Sequence, residues 1–264
     1  MVYTQQDNPA FEAELARRTA RKDAAFFVPH LRRGMHVLDV GCGPGSITVG
    51  FAKVVAPAPV IGIDIQPALV AQAQAVGRGC TNLRFEVADL HRLPFADAAF
   101  DAVFANGVLM HMREPVRALA QMRRVLRPGG LVGIRDPDFA TALLVPMTDV
   151  LERWLELRVR VRRFNGGDPH SGRHYRRWLL DAGFERAEAS ASIDFAGTHE
   201  HAQRQAAFVK AQLHGVARTA IEQGWADPPA VRAAIADIDA WSKLPDAFYA
   251  MTWCEAVAWQ GLRG

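Results

Sequence analysis

The stretch VLDVGCGPGS, Val37 to Ser46, constrains this chain more than any other. A short apolar run carries Asp39 near its end and turns at once through Gly41, Gly43 and Gly45 toward a helix-forming segment. Glycine permits a tight turn and lets a ligand approach the backbone with no Cβ in the way. The helix start at Ser46 adds free N–H groups. Strand, glycine turn and helix in that order belong to open α/β sheets, where ligands sit beyond the carboxyl ends of the strands. Such a turn can hold a dinucleotide, a phosphate or the amino-acid end of another nucleoside cofactor, and it can be an ordinary tight turn. A dinucleotide fingerprint needs glycine at the first, third and sixth positions; counted from Gly41, the sixth position is Ser46. The Gly-Lys-Ser/Thr of a phosphate loop is missing as well.

The segments around the turn alternate. Apolar periodicity predicts an opening helix over Ala10–Leu31, a strand over His36–Val40 and a helix over Ser46–Val55. PAP at Pro57–Pro59 breaks that helix. Strands follow at Val60–Asp64, Leu83–Asp89, Asp101–Asn106 and Leu131–Asp136, with helices at Pro67–Val76 and Pro115–Leu126 between them. Five strands with helical crossovers give a parallel sheet wrapped by helices, an α/β fold. After Asp138 the alternation is lost. Ala140–Phe164 and His174–Ala182 read as helices, Phe184–Phe195 as a strand, His199–Leu244 as two or three helices and Ala247–Trp259 as a final strand. These helical pieces form a cap over the carboxyl edge of the sheet.

Polar residues close the strands in order. Asp64 ends the second strand about 20 residues past the turn, where an acid accepts both hydroxyls of a ribose or caps the helix at Pro67. Asp89 ends the third, placed for an exocyclic adenine amine or for a turn, and Asn106 ends the fourth. With these in place, VLDVGCGPGSITVGFA, VIGIDIQP, NLRFEVADLHRLPFADAAFDAVFANGVLMHM and MRRVLRPGGLV resemble the class I S-adenosylmethionine-dependent methyltransferases. The likeness is nearest to the small-molecule branch that includes ubiquinone and menaquinone biosynthesis enzymes. These motifs cover roughly Val37 to Ile134, and GRHYRRWLLDAGFERAEAS resembles the helix and sixth strand of the same fold.

The resemblance implies a Rossmann-like sheet of seven strands, mostly parallel, with helices on both faces, an antiparallel last strand and a helical cap. Residues 1–34 would lie over the site, 35–139 would form the cofactor core, and 140–264 would supply the cap insertions and the last two strands. S-adenosyl-L-methionine is the implied cofactor. Asp39, Gly41, Cys42, Gly43 and Gly45 would surround its methionine end, Asp64 would bind the ribose and Ile65 would pack on the adenine. Asp89 and Leu90 would flank the base, and Asn106 would lie by the amino group. His111, five residues past Asn106, is the candidate general base; contact with the cofactor or packing of the next helix are its competing roles. Tyr3, Arg135, Asp136, His170 and Arg173 are acceptor-pocket candidates, with an ion pair inside the fold as the competing explanation for Arg135. Asp138 and Phe11 stand beside them.

Composition narrows the rest. The 264 residues carry a formal charge of only +3, with arginines spread among acids. The densest basic stretch, RVRVRRFNGG, has little aromatic interleaving to stack bases and reads as the solvated face of a helix. No apolar run approaches the roughly 20 residues that span a bilayer, and the first residues carry no secretory pattern. Three scattered cysteines make neither a disulfide framework nor a zinc site, which fits a reducing cytoplasm. His170 and His174 lack a third ligand, so no metal is expected. The partner is then a small-molecule methyl acceptor, partly apolar, rather than nucleic acid. An RNA or other macromolecule methyltransferase, and a non-methylating S-adenosylmethionine-binding protein, are the alternatives. Nothing in the sequence marks an oligomeric state.

Overall fold

The computed structural model describes residues 8–262; Tyr3 lies outside the described residues. Ahead of the sheet come α1 (Pro9–Leu15) and α2 (Ala20–Asp23), where the sequence predicts one continuous helix. Thr19 breaks it. Its hydroxyl accepts from Lys22 N while its own N–H donates to Asp23 Oδ2 at 2.8 Å, a reciprocal cap that starts a new helix.

Strand β1 (Val37–Val40), helix α3 (Ser46–Val55), strand β2 (Val60–Asp64) and helix α4 (Pro67–Val76) follow. Both strands are buried along their whole length, as apolar runs are in parallel strands covered on two faces. Strand β3 (Leu83–Val87), strand β4 (Phe100–Asn106), helix α5 (Pro115–Val125) and strand β5 (Leu126–Pro137) complete the alternating part. Strand β5 starts earlier than the sequence predicts. Its register against β4 shifts after Phe100↔Leu126 and resumes at Ala102↔Leu131, so the Arg-Pro-Gly-Gly segment bulges out of the ladder.

The remaining elements are β6 (Leu143–Val145), α6 (Asp149–Phe164), α7 (Tyr175–Asp181), β7 (Arg186–Ala196), α8 (His199–Glu222), α9 (Pro228–Trp241) and β8 (Phe248–Trp259). The eight-stranded sheet runs β3-β2-β1-β4-β5-β8, with β7 on the far edge of β8. Strand β8 is antiparallel to all three of its neighbours, β5, β6 and β7, and β1 to β5 are parallel. The eighth strand, β6, is one more than the sequence predicts. Pairing with β5 uses only Trp253–Trp259 of β8, and β6 covers the open edge at Phe248–Ala250, which would otherwise present unpaired backbone.

Two cores sandwich the sheet. On one face Phe27, Phe51 and Phe104 pack ring on ring at 5.0–5.8 Å under α2 and α3. On the other, Leu38, Ile61 and Val103 meet Leu119 and Met122 of α5 and Leu179 of α7. A third cluster joins α6, α8 and α9 to β8 through Trp154, Leu213, Trp241 and Trp253. That third cluster carries the cap. The sheet order reverses between β1 and β4, so a crevice opens at their carboxyl ends.

Candidate functional site

The crevice is a cleft lined by Asp39, Gly41, Cys42, Gly43, Asp64, Ile65, Asp89, Leu90, Asn106 and His111 of the sequence-derived set. The glycine turn is held by the second strand. Gly43 N donates to Asp64 Oδ2 at 3.0 Å, and the other carboxylate oxygen accepts from Gln66 N at 2.9 Å. Burial raises the Asp64 carboxyl above its ordinary range, against these backbone hydrogen bonds. A Cβ on Gly43, at φ +53°, would project into the cleft and find only Leu15 Cδ1, 4.0 Å away. Asp39 is 3% exposed and accepts from the Thr48 hydroxyl at 2.6 Å. Burial, with Asp64 nearby, pushes its carboxyl up to about 7 despite that bond. Asn106 donates weakly to Asp23 O at 3.5 Å, and its Oδ1 is buried with no hydrogen-bond partner among the described residues.

The opposite wall comes from elements far apart in sequence. Helix α1 supplies Phe11 and Leu15, and Phe11 stacks on Phe208 of α8 with ring centroids 5.6 Å apart. Asn8 anchors α1 by donating to Ala211 O of α8 at 2.6 Å. Phe139, Val216, Met251 and Trp253 extend the apolar lining. Arg158 and Arg162 of α6 also line the cleft, at 4% and 6% exposure. This corrects in part the reading of RVRVRRFNGG as a solvated face: Arg160 and Arg163 are exposed, but Arg158 and Arg162 are not. The two fall on the stripe of Leu151, Trp154 and Val161, a helical period visible in the sequence once polar residues are admitted to it. Arg162 Nη1 lies against the His111 ring, 3.1 Å from Nε2. Burial, then the Arg162 charge, holds His111 well below the usual imidazole range, so the ring is neutral.

A family model described as a methyltransferase domain matches residues 31–179, more than half of the chain. The chain belongs to that family. An uncharacterised methyltransferase of Schizosaccharomyces pombe is 34% identical over 185 residues, covering 66% of this chain and 66% of that protein. An O-methyltransferase of Penicillium expansum, cnsE, is 40% identical over 129 residues, 47% of this chain and 45% of that protein. The chain thus spans about half to two thirds of the length of these relatives. Among solved structures, phosphoethanolamine N-methyltransferase 2 of Haemonchus contortus, bound to phosphomonomethylethanolamine and S-adenosylhomocysteine, superposes with a TM-score of 0.61. It is 15% identical, and the superposition covers 98% of this chain and 58% of that one. At that identity the likeness is one of fold.

The residues of this methyltransferase domain fit S-adenosylmethionine, the cofactor of the family. Gly43 leaves a cradle that a Cβ would fill. The buried, unsatisfied Asn106 Oδ1 is an acceptor suited to an ammonium, and Asp39, Asp64 and Asp89 place acids along one side. Cys42 packs with Val70, Ala73 and Phe85, and burial raises its thiol far above the usual range, so it is a filler and not a nucleophile. Asp89 is exposed and also caps the turn after β3 by accepting from His91 N at 2.9 Å.

Five expected positions lie elsewhere. Gly45 stands behind the turn at the start of α3, where a Cβ would meet Phe85 Cζ at 2.7 Å and Ala73 Cβ at 2.9 Å. It serves packing, not the cleft. Arg135 is 4% exposed and locked between Glu255, 3.1 Å from its Nε, and Asp23, 3.5 Å from Nη1. Asp136 accepts from the Tyr175 hydroxyl, from Met110 N at 3.0 Å and from Ser171 Oγ at 3.4 Å. Burial raises it to about 6 against those bonds. His170 Nδ1 sits 3.1 Å from Asp138 Oδ1, and Arg173 grips the same carboxylate. Although burial opposes it, Arg173, the Ala140 N–H and His170 together hold Asp138 below the usual carboxylate range. Asp136 and Asp138 thereby knit the end of β5 to the segment after α6, and Arg135, Asp136, His170 and Arg173 do not line the cleft. Among the described residues no group of three or more His, Cys, Asp or Glu is placed to hold a metal ion. No helix there is long and apolar enough to cross a membrane.

Proposed function

We propose that the protein transfers a methyl group from S-adenosylmethionine to a small, partly apolar acceptor. The observation that carries this reading is the division of the cleft. It is acidic and glycine-lined where β1 to β4 end, and largely apolar where α1, α8 and β8 close it. In this reading residues 35–139 form the cofactor core, 1–34 cover it, and 140–264 supply the acceptor wall and the last strands.

Gly41, Cys42 and Gly43 would hold the methionine end with Asp39 beside them, and Asn106 Oδ1 would accept from its amino group. Asp64 would take the ribose hydroxyls, Ile65 would pack on the adenine, and Asp89 and Leu90 would flank the base. When bound, the cofactor supplies an electrophilic methyl on a sulfonium. The chain's task is to hold an acceptor atom in line at about 3 Å and to keep water out. The stacked Phe11 and Phe208 serve that exclusion. His111 enters as the neutral partner of Arg162 rather than as a base, because a ring so disfavoured in its protonated form takes a proton from a hydroxyl poorly. The three free cysteines support a reducing compartment, the cytoplasm.

The test is label transfer. Purified protein incubated with methyl-labelled S-adenosylmethionine and fractionated cell metabolites should place label in a small-molecule fraction. Label in RNA, or in none of a broad metabolite set, would count against the reading.

A further inference from the structure

The acceptor wall of the cleft holds buried hydrogen-bond donors that no described residue satisfies. Arg158 is 4% exposed and lies flat on Phe139, its guanidinium carbon 4.1 Å from the ring centre. Its Nη1 reaches Gln212 Oε1 at 3.5 Å, while Nε and Nη2 have no hydrogen-bond partner among the described residues. No carboxylate among those residues forms an ion pair with it. Tyr249, whose hydroxyl is a hydrogen-bond partner of the Arg158 side chain, is buried and kept neutral up to about 12, so it supplies no counter-charge. Trp253 Nε1, on the same wall, is likewise buried with no hydrogen-bond partner among the described residues. A buried cation with no counter-charge costs several kcal/mol, and unsatisfied buried donors are rare in folded proteins.

The identity of the open atoms matters. Nε–H and the facing Nη2–H point the same way and form the side-on fork that matches two oxygens of a planar or tetrahedral anion. The unsatisfied groups on this wall donate, whereas the orphan at the other end of the cleft, Asn106 Oδ1, accepts. The two ends of the cleft therefore call for ligands of opposite polarity. Resting on the methyltransferase reading above, we propose that the methyl acceptor carries an anionic oxygen pair, a carboxylate or a phosphate, held side-on by Arg158. Its apolar body lies along Phe139, Val216 and Met251.

The inference is tested with phenylacetate, phenyl phosphate and the uncharged phenylacetamide, titrated by calorimetry into wild type and Arg158→Met, each saturated with S-adenosylhomocysteine. At least one anion should bind wild type tenfold or more tighter than the amide, and Arg158→Met should abolish that preference. Which anion wins separates carboxylate from phosphate. Anions that bind no better than the amide, or a preference that survives in Arg158→Met, overturn the proposal. A ligand-free measurement adds an independent arm: removing an uncompensated buried cation should raise the melting temperature by about 2–4 °C, and a fall would show that the cation is paired within the fold. Failure of wild type to bind S-adenosylhomocysteine would strike the methyltransferase reading instead, and the anion titrations, repeated without it, would still decide this one.

Discussion

Burial strips Asp39 of solvent, and the 2.6 Å hydrogen bond from Thr48 does not restore its preference for the charged form. A carboxyl whose folded pKa is raised stabilises the protein at low pH, and that stability is lost as pH climbs from the unfolded value to the folded one. For Asp39 the window runs from 3.8 to about 7; for Asp136 it closes at about 6. The slope is about 1.4 kcal/mol per pH unit for each group. Asp39→Asn removes this contribution, so the ligand-free wild type should lose stability relative to Asp39→Asn as pH rises from 3.8 to about 7. Urea titrations across that range read the difference, and coincident curves would remove Asp39 from the account. At this scale the sequence located Asp39, Asp64 and Asn106 in the cleft because each lies at or next to the end of a strand that the chain order itself marks. It did not distinguish Arg135, Asp136, His170 and Arg173 from cleft residues, since a polar residue at a strand end reads the same whether it faces a ligand or another side chain.

Helices and strands that alternate were legible to within a residue or two, save the start of β5, which lies at Leu126 and not at Leu131. Helix α3, strand β2 and helix α4 match the predicted spans, because apolar runs bounded by Gly and Pro fix their ends. The break at Thr19 and strand β6 were not visible: the first is a local cap inside a helical pattern, and the second exists to cover an edge of β8. Within the glycine turn, the glycines divide by task. Gly45→Ala faces both a positive φ of +81° and the Phe85 and Ala73 side chains within 3 Å. It should destabilise the fold by roughly 2–4 kcal/mol in chemical denaturation. A neutral effect would mean that β3 and α4 can move away from the turn.

For the whole molecule, ligand binding and folding are linked. S-adenosylhomocysteine at a hundredfold excess over its dissociation constant should stabilise the protein by about 2.7 kcal/mol, several degrees in melting temperature. Asp64→Ala, which removes both the proposed ribose acceptor and the brace on Gly43, should lose most of that shift. An equal shift in both proteins would sink the ribose assignment.

The sequence by itself determined the parallel sheet and the strand-end half of the cleft, where we place the cofactor, because those residues lie within about a hundred positions of one another in fixed chain order. Only the tertiary structure decided the opposite half, where we place the acceptor. Its wall joins Phe11, Phe139, Arg158, Phe208 and Trp253 from five separate segments. No periodicity says which face of α6 another element will close. The face that carries Arg158 and Arg162 became the inside of the cleft when Phe139, α8 and β8 packed over it. Of the four arginines in a run that looks solvated in one dimension, Arg160 and Arg163 are exposed, whereas Arg158 and Arg162 line a pocket.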